Sequence, residues 1–186
     1  MNTAVRGPGY DTALLVVRTF LGLVYLSNGL AKLFGFHTLA ISYWQTFLIN
    51  RDDALNIQMG NTGSSPGLIH DFGMFVVDHW GAFQWLLTLG ELAVGFGLLL
   101  GVLSRLTAIG GLVLAFSTFI FTLGAGTWTF DYLFEPALFL ALAIAPPLPG
   151  LDSRMPWGQH SRAASAAPAR PHNGHAAAEP VDPARR

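Results

Sequence analysis

Long apolar runs, broken by short polar stretches, dominate the chain. The first covers about residues 11–34, with LLVVRTFLGLVYLSNGLAKLF as its body. The second covers about 83–103, FQWLLTLGELAVGFGLLLGVL, and has Glu91 as its one charge. A third, about 106–123, has no charge, and a fourth, about 130–148, opens with Asp131 and Glu135 and ends in the breaker Pro146-Pro147-Leu148-Pro149. At about 1.5 Å rise per residue, runs of roughly 18–23 residues cross a hydrocarbon core of about 30 Å. The pattern therefore predicts four transmembrane helices in an all-α integral membrane bundle over residues 1–150. The first run is too long for the core of a secretory signal, contains Arg18 and precedes no small-x-small cleavage site, so it reads as a retained helix.

The segment at 35–82 is too long for a plain turn. Leu39, Tyr43 and Phe47 in TLAISYWQTFLI fall on one helical face, as do Ile69, Phe72, Phe75 and Val76 after Pro66, so two helices are expected there. Between them RDDALNIQMGNTGSSPG is rich in turn formers and reads as loop. The two helices either lie along the membrane interface, with Trp44, Trp80 and Trp85 as belt residues, or cap the mouth of the bundle; the sequence leaves both open. Beyond Gly150 the chain turns to Ala, Pro, Arg and His, which cannot bury a core, so 151–186 is expected to be a disordered cytoplasmic tail. No internal repeat is visible.

Composition sharpens this picture. The 186 residues are 52% hydrophobic and only 11% charged, against roughly a quarter charged in soluble domains. That balance excludes a soluble enzyme and makes the lipid bilayer the first partner. A formal net charge of −1 gives no basic footprint for nucleic acid. The absence of cysteine excludes thiol redox pairs, thiolate nucleophiles and cysteine-held iron–sulfur clusters. None of the six histidines lies in a predicted span, so axial haem ligation has no support, and His70-Asp71 and Asp78-His79 match no metal-ligand spacing. Bases set the orientation. Arg6 and Arg18 open the first helix, Arg105 sits in the turn after the second, and five arginines follow residue 150, whereas 35–82 has one base against four acids. The expected topology is multi-pass in the cell membrane, with both termini cytoplasmic and 35–82 outside.

Charged groups at mid-bilayer cost about 2.5–3.5 kcal/mol each on insertion scales, so each asks for a reason. Arg18, Tyr25 and Lys32 recur at a spacing of seven on the first helix, with Asn28 between the last two. Gln84, Thr88, Glu91 and Gly95 form a similar stripe on the second. Measured from the outer helix ends, Lys32 lies about 3 Å deep, Glu135 about 8 Å, Asn28 about 9 Å and Glu91 about 12 Å. Turned inward, these four residues build one polar chamber opening outward. Bland readings stand beside it. Lys32 and Arg18 can snorkel to the two interfaces, and Asp131 and Glu135 can simply serve the first turn of the fourth helix, with Pro136 at its start. Glu91 is too deep to snorkel and must be neutral, paired or hydrated. Gly90, Gly95, Gly97 and Gly101, with Gly111 and Ala115 on the third helix, read as close-packing positions.

These motifs resemble the DoxX/DoxD family: Arg18 with Gly22, then NGLAKLFGF containing Gly29 and Lys32, then GELAVGFGLLLGVLSRLTA with Glu91, Gly95, Gly101 and Arg105. The resemblance covers about 13–146, and the long first outer segment is closer to the DoxD branch. That branch resembles the membrane subunit of a thiosulfate:quinone oxidoreductase, which works with a second polypeptide. The resemblance implies a quinone as the redox ligand and a redox partner polypeptide as the electron source. It assigns no catalytic residue; Glu91 and Lys32 are the catalytic candidates, and Asn28, Lys32, Glu91 and Glu135 the candidates for quinone binding. Two other classes stay open: a non-catalytic anchor or assembly partner of a redox or stress-response complex, and a small-molecule or proton transport module using Glu91.

Overall fold

The computed structural model describes residues 8–42, 45–123, 131–145 and 148–154. In chain order they form α1 (Pro8–Phe34), a hairpin of β1 (Leu39–Ser42) and β2 (Gln45–Phe47), α2 (Arg51–Ser64), α3 (Gly67–Asp78), α4 (Trp80–Leu100), α5 (Ser104–Thr122), α6 (Asp131–Ile144) and a 3-10 turn at Leu151–Arg154. The protein is an all-α membrane protein, with the hairpin its one small departure among the described residues.

The first three apolar runs become α1, α4 and α5, which are long and apolar enough to cross a membrane. The fourth becomes α6, whose 14 residues span about 21 Å, short of a hydrocarbon core of roughly 30 Å. Pro136 lies inside α6, past its first turn and not at its start. Outward-facing positions are apolar: Phe20, Leu86, Leu89, Val113, Phe134 and Ile144 are all more than half exposed. Such a surface suits lipid.

Small residues set how closely the helices pack. A methyl group on Gly95 would stand 2.5 Å from the Leu26 backbone nitrogen, and one on Gly29 would strike Leu92, so α1 and α4 meet nearly backbone to backbone. Gly111 gives its space to the fully buried Phe139 ring, which seats α6 on α5. Gly97 faces Thr107 on α5, but its apparent partner Gly101 does other work. With φ of 64° it is the left-handed cap that ends α4.

The expectations for 35–82 need two corrections. Leu39–Ser42 and Gln45–Phe47 pair as antiparallel strands and not as a helix, with Leu39 opposite Phe47 and Ala40 opposite Thr46. The segment holds Ile, Tyr, Trp, Thr and Phe, which favour extended backbone, and a run this short lets that preference override a helical periodicity. Tyr43 and Trp44 lie outside the described residues. The supposed loop at 51–67 is instead mostly helix. Asn50 caps α2 by accepting the Asp53 N–H at 2.9 Å, and Asp52 and Asp53 favour the positive end of its dipole. Its glycines at 60 and 63 point into open space, where they are tolerated. The helix expected after Pro66 is α3. It rests on α2 where Gly73 leaves room for the buried Thr62, and Ser65 ties this pair to α5 by donating to Phe121 O at 2.8 Å.

At the opposite end, residues 149–152 fold back under the bundle. Arg18 is 6% exposed and donates to Pro149 O at 2.8 Å, so it is anchored by protein and does not snorkel. Asp152 accepts from the N–H groups of Leu103 and Ser104, each at 2.7 Å, and caps α5 from 48 residues away. Residues 151–154, expected as the start of the tail, are therefore ordered. The rest of that tail lies outside the described residues.

Candidate functional site

Three buried side chains two turns apart run down α1: Arg18, Tyr25 and Lys32, at 6%, 7% and 2% exposure. Arg18 serves the end of the bundle described above. Lys32 meets Glu91 of α4. Its Nζ donates to Oε1 at 2.9 Å and is ion-paired with Oε2 at the same distance. The sequence placed these two groups at different depths, and side-chain direction explains their meeting. Helical side chains lean toward the N-terminus, so Lys32 at the end of α1 reaches back toward the interior. The pair lies almost wholly within the bundle, with the Glu91 side chain 11% exposed.

The chain around the pair holds it in place. Gly29 and Gly95 let α1 and α4 approach closely enough for the short bridge. Arg51, the first residue of α2, donates to the Lys32 and Leu33 carbonyls, and its guanidinium lies 4.8 Å from the centroid of the Trp85 ring. These carbonyls are the unpaired acceptors at the end of α1, where a cation is favourable. Arg51 therefore fastens α2 over the end of α1.

Above the pair lies a cavity of about 370 Å³ between α2, α3, α4 and α5. Phe72, Val76, Trp80, Phe83, Leu87, Leu114 and Phe121 make most of its wall apolar, with Gln58, Asn61, Ser117 and Thr118 as its uncharged polar members. Leu86 and Val113 also line it and are both strongly exposed, so its rim reaches the apolar outer surface.

Of the four candidate residues, Lys32 and Glu91 line this cavity and touch each other. The other two have different partners. Asn28 Oδ1 accepts the Ile49 N–H at 3.2 Å and fixes the exit of the hairpin. Glu135 is hydrogen-bonded by Tyr25, whose ring packs edge-on against Phe139 at 5.1 Å. Asn28 and Glu135 are not among the residues that line this cavity. His70 Nδ1 and His79 Nδ1 each lie 2.9 Å from a backbone carbonyl, of Thr62 and Phe75 respectively.

Sequence reasoning missed the cavity walls supplied by α2 and α5. The signal was present: Ala54, Ile57, Gln58 and Asn61 follow the i, i+3, i+4, i+7 rule, as do Leu114, Ser117, Thr118 and Phe121. Reading 51–67 as loop hid the first set. In the second, polar members blurred an otherwise uniform lipid-facing span.

The DoxX family model matches residues 13–125, which contain Lys32, Glu91 and every wall of the cavity. No curated protein and no solved structure matches the chain.

Proposed function

The chain belongs to the DoxX family, and from that premise we propose that it is the membrane subunit of a quinone-linked oxidoreductase complex, with the α2–α5 cavity as its quinone-access site. One observation carries this reading: an apolar cavity with a lipid-side rim ends on a buried Lys–Glu pair. Its volume of about 370 Å³ suits a substituted ring, and the exposed Leu86 and Val113 give an isoprenoid tail a way into the bilayer.

A bound quinone supplies an acceptor for two electrons and two protons. The residues of this chain have simpler tasks. Lys32 Nζ donates to a ring oxygen and orients it. Glu91 holds a proton in a site shielded from bulk water, within reach of the same oxygen. Trp80, Phe83 and Leu87 pack against the ring and exclude water. Electrons come from a partner polypeptide, since the sequence has no thiol to deliver them. The long segment before α4 is consistent with the DoxD branch and with a donor that oxidises a sulfur compound.

Purification in mild detergent with its native partner tests the proposal. The complex should carry extractable quinone and reduce added quinone, while the isolated chain binds quinone without turnover. Glu91→Gln should slow turnover by about a hundredfold and leave assembly unchanged. If quinone neither co-purifies nor shifts the melting temperature, and the complex has no quinone reductase activity, the chain is instead a non-catalytic anchor. The lack of any cysteine-based redox motif favours that second reading.

A further inference from the structure

The mouth of the cavity and its roof have opposite characters. The lining residues that reach the surface are Ile57, Phe72, Leu86, Val113 and Thr118. All but Thr118 are apolar, and the Thr118 hydroxyl is spent on Leu114 O at 3.2 Å. Leu86 and Val113 continue into Leu89 and Phe116, which are also exposed on α4 and α5. An opening with this rim has little to offer water and merges with the lipid-facing surface.

The roof is different. On α2, Ala54, Gln58 and Asn61 line the cavity, while Asp52, Asn56 and Gly60 lie exposed on the other side. The helix therefore stands between water and the cavity, and it is fastened at both ends. At its start Arg51 donates to the Lys32 and Leu33 carbonyls and lies over the Trp85 ring. Just past its end the buried Ser65 donates to Phe121 O at 2.8 Å. A forked guanidinium suits the first clasp because it reaches two carbonyls at once, which an ammonium does not do in the same geometry.

We infer that the cavity fills from the membrane and not from water: its ligand is a lipid-dissolved molecule entering between α4 and α5, and Arg51 is the positioning residue that keeps α2 closed over the Lys32–Glu91 pair. The quinone-access reading uses the same cavity, and the route is what is added here. An apolar molecule arrives at this mouth already free of water, whereas a charged one must shed its hydration to pass.

The natural absence of cysteine allows a direct test that uses no quinone, so the route and the quinone reading can fail separately. Leu87 lines the cavity on α4, one turn from Glu91, and Leu87→Cys reports on what reaches the pair. Asn56→Cys, on the exposed side of α2, is the reference. Each variant in lipid nanodiscs is treated with reagents that share one reactive group: hexyl methanethiosulfonate, which enters lipid, and the charged MTSET and MTSES, which stay in water. The hexyl rate corrects for the reactivity of each thiol. The ratio of charged to hexyl rate should be about a hundredfold lower at Leu87→Cys than at Asn56→Cys, as expected when a fixed charge must leave water. Adding Arg51→Met should raise the charged rate at Leu87→Cys about tenfold, since hydrogen bonds from a charged group are lost. Arg51→Lys should fall between the two. Should Arg51→Met fail to fold, Ser65→Ala opens the opposite clasp and is read in the same way. Similar ratios at Leu87→Cys and Asn56→Cys would mean free entry of water and overturn the inference, as would a Leu87→Cys that the hexyl reagent cannot reach. A charged rate unchanged in every clasp variant that folds would remove Arg51 from the role.

Discussion

At the scale of single residues, the proposed chemistry rests on the Lys32–Glu91 pair. Burying two charges is expensive, and their attraction offsets that cost only with close geometry. A pair this enclosed is therefore a weak stabiliser but a strong constraint: removing either partner strands the other. Lys32→Met alone or Glu91→Leu alone should lower unfolding free energy by about 3–5 kcal/mol, whereas the double substitution should restore most of it. Chemical unfolding of the four proteins in one detergent measures the cycle, and additive losses would show that the two side chains do not act as a pair. If the pair is functional, the restored double variant folds but no longer binds quinone. Both residues were legible in the sequence because a charge inside an apolar run is conspicuous. Their contact was not, since depth along a helix axis says little about where a four-carbon side chain ends. Tyr25 was visible only as a member of the stripe. Its bond to Glu135 depends on how α6 faces α1, which no local pattern encodes.

Among the elements, α2 shows how hydrophobic periodicity misleads at the membrane edge. The three spanning helices were plain, because uniform apolarity over about 20 residues has one common explanation. Residues 51–64 are nearly as rich in Asn, Gly and Ser as a loop, yet they are helical. Their stability comes from the ends and from one face: the Asn50 cap, the Arg51 clasp on α1, and Thr62 seated against Gly73. A cap is a strong signal only once a helix is suspected, and the turn formers argued against one. The hairpin before it failed in the opposite sense, because strand-forming residues also happened to fall at helical spacing. Since α2 draws so little on propensity, it should be sensitive to its cap. Asn50→Ala should cost about 1 kcal/mol. Hydrogen exchange should locate the loss in α2, with faster exchange of its first-turn amides and no change in α4 or α5. Uniform acceleration across the bundle would mean that α2 does not open separately.

For the whole molecule, the path of the chain at its two ends bears on how many times it crosses the membrane. By length alone α6 falls short, which would leave three crossings and termini on opposite sides. Contacts after α6 point the other way. Pro149 and Asp152 reach Arg18 and the α4–α5 turn at Leu103 and Ser104, so the chain returns to the end of the bundle where α4 finished. We propose four crossings with both termini on one side, and the arginines at 6, 105 and beyond 150 favour the cytoplasm as that side. The natural lack of cysteine makes this directly measurable. Single cysteines in place of the exposed Asn56 of α2 and of Ser165 should behave oppositely toward an impermeant maleimide on intact cells. Asn56→Cys should label from outside, and Ser165→Cys only after the membrane is permeabilised. Labelling of both from outside would mean that α6 does not cross. Labelling of Ser165→Cys alone would invert the protein, turning the α2–α3 cover of the cavity toward the cytoplasm.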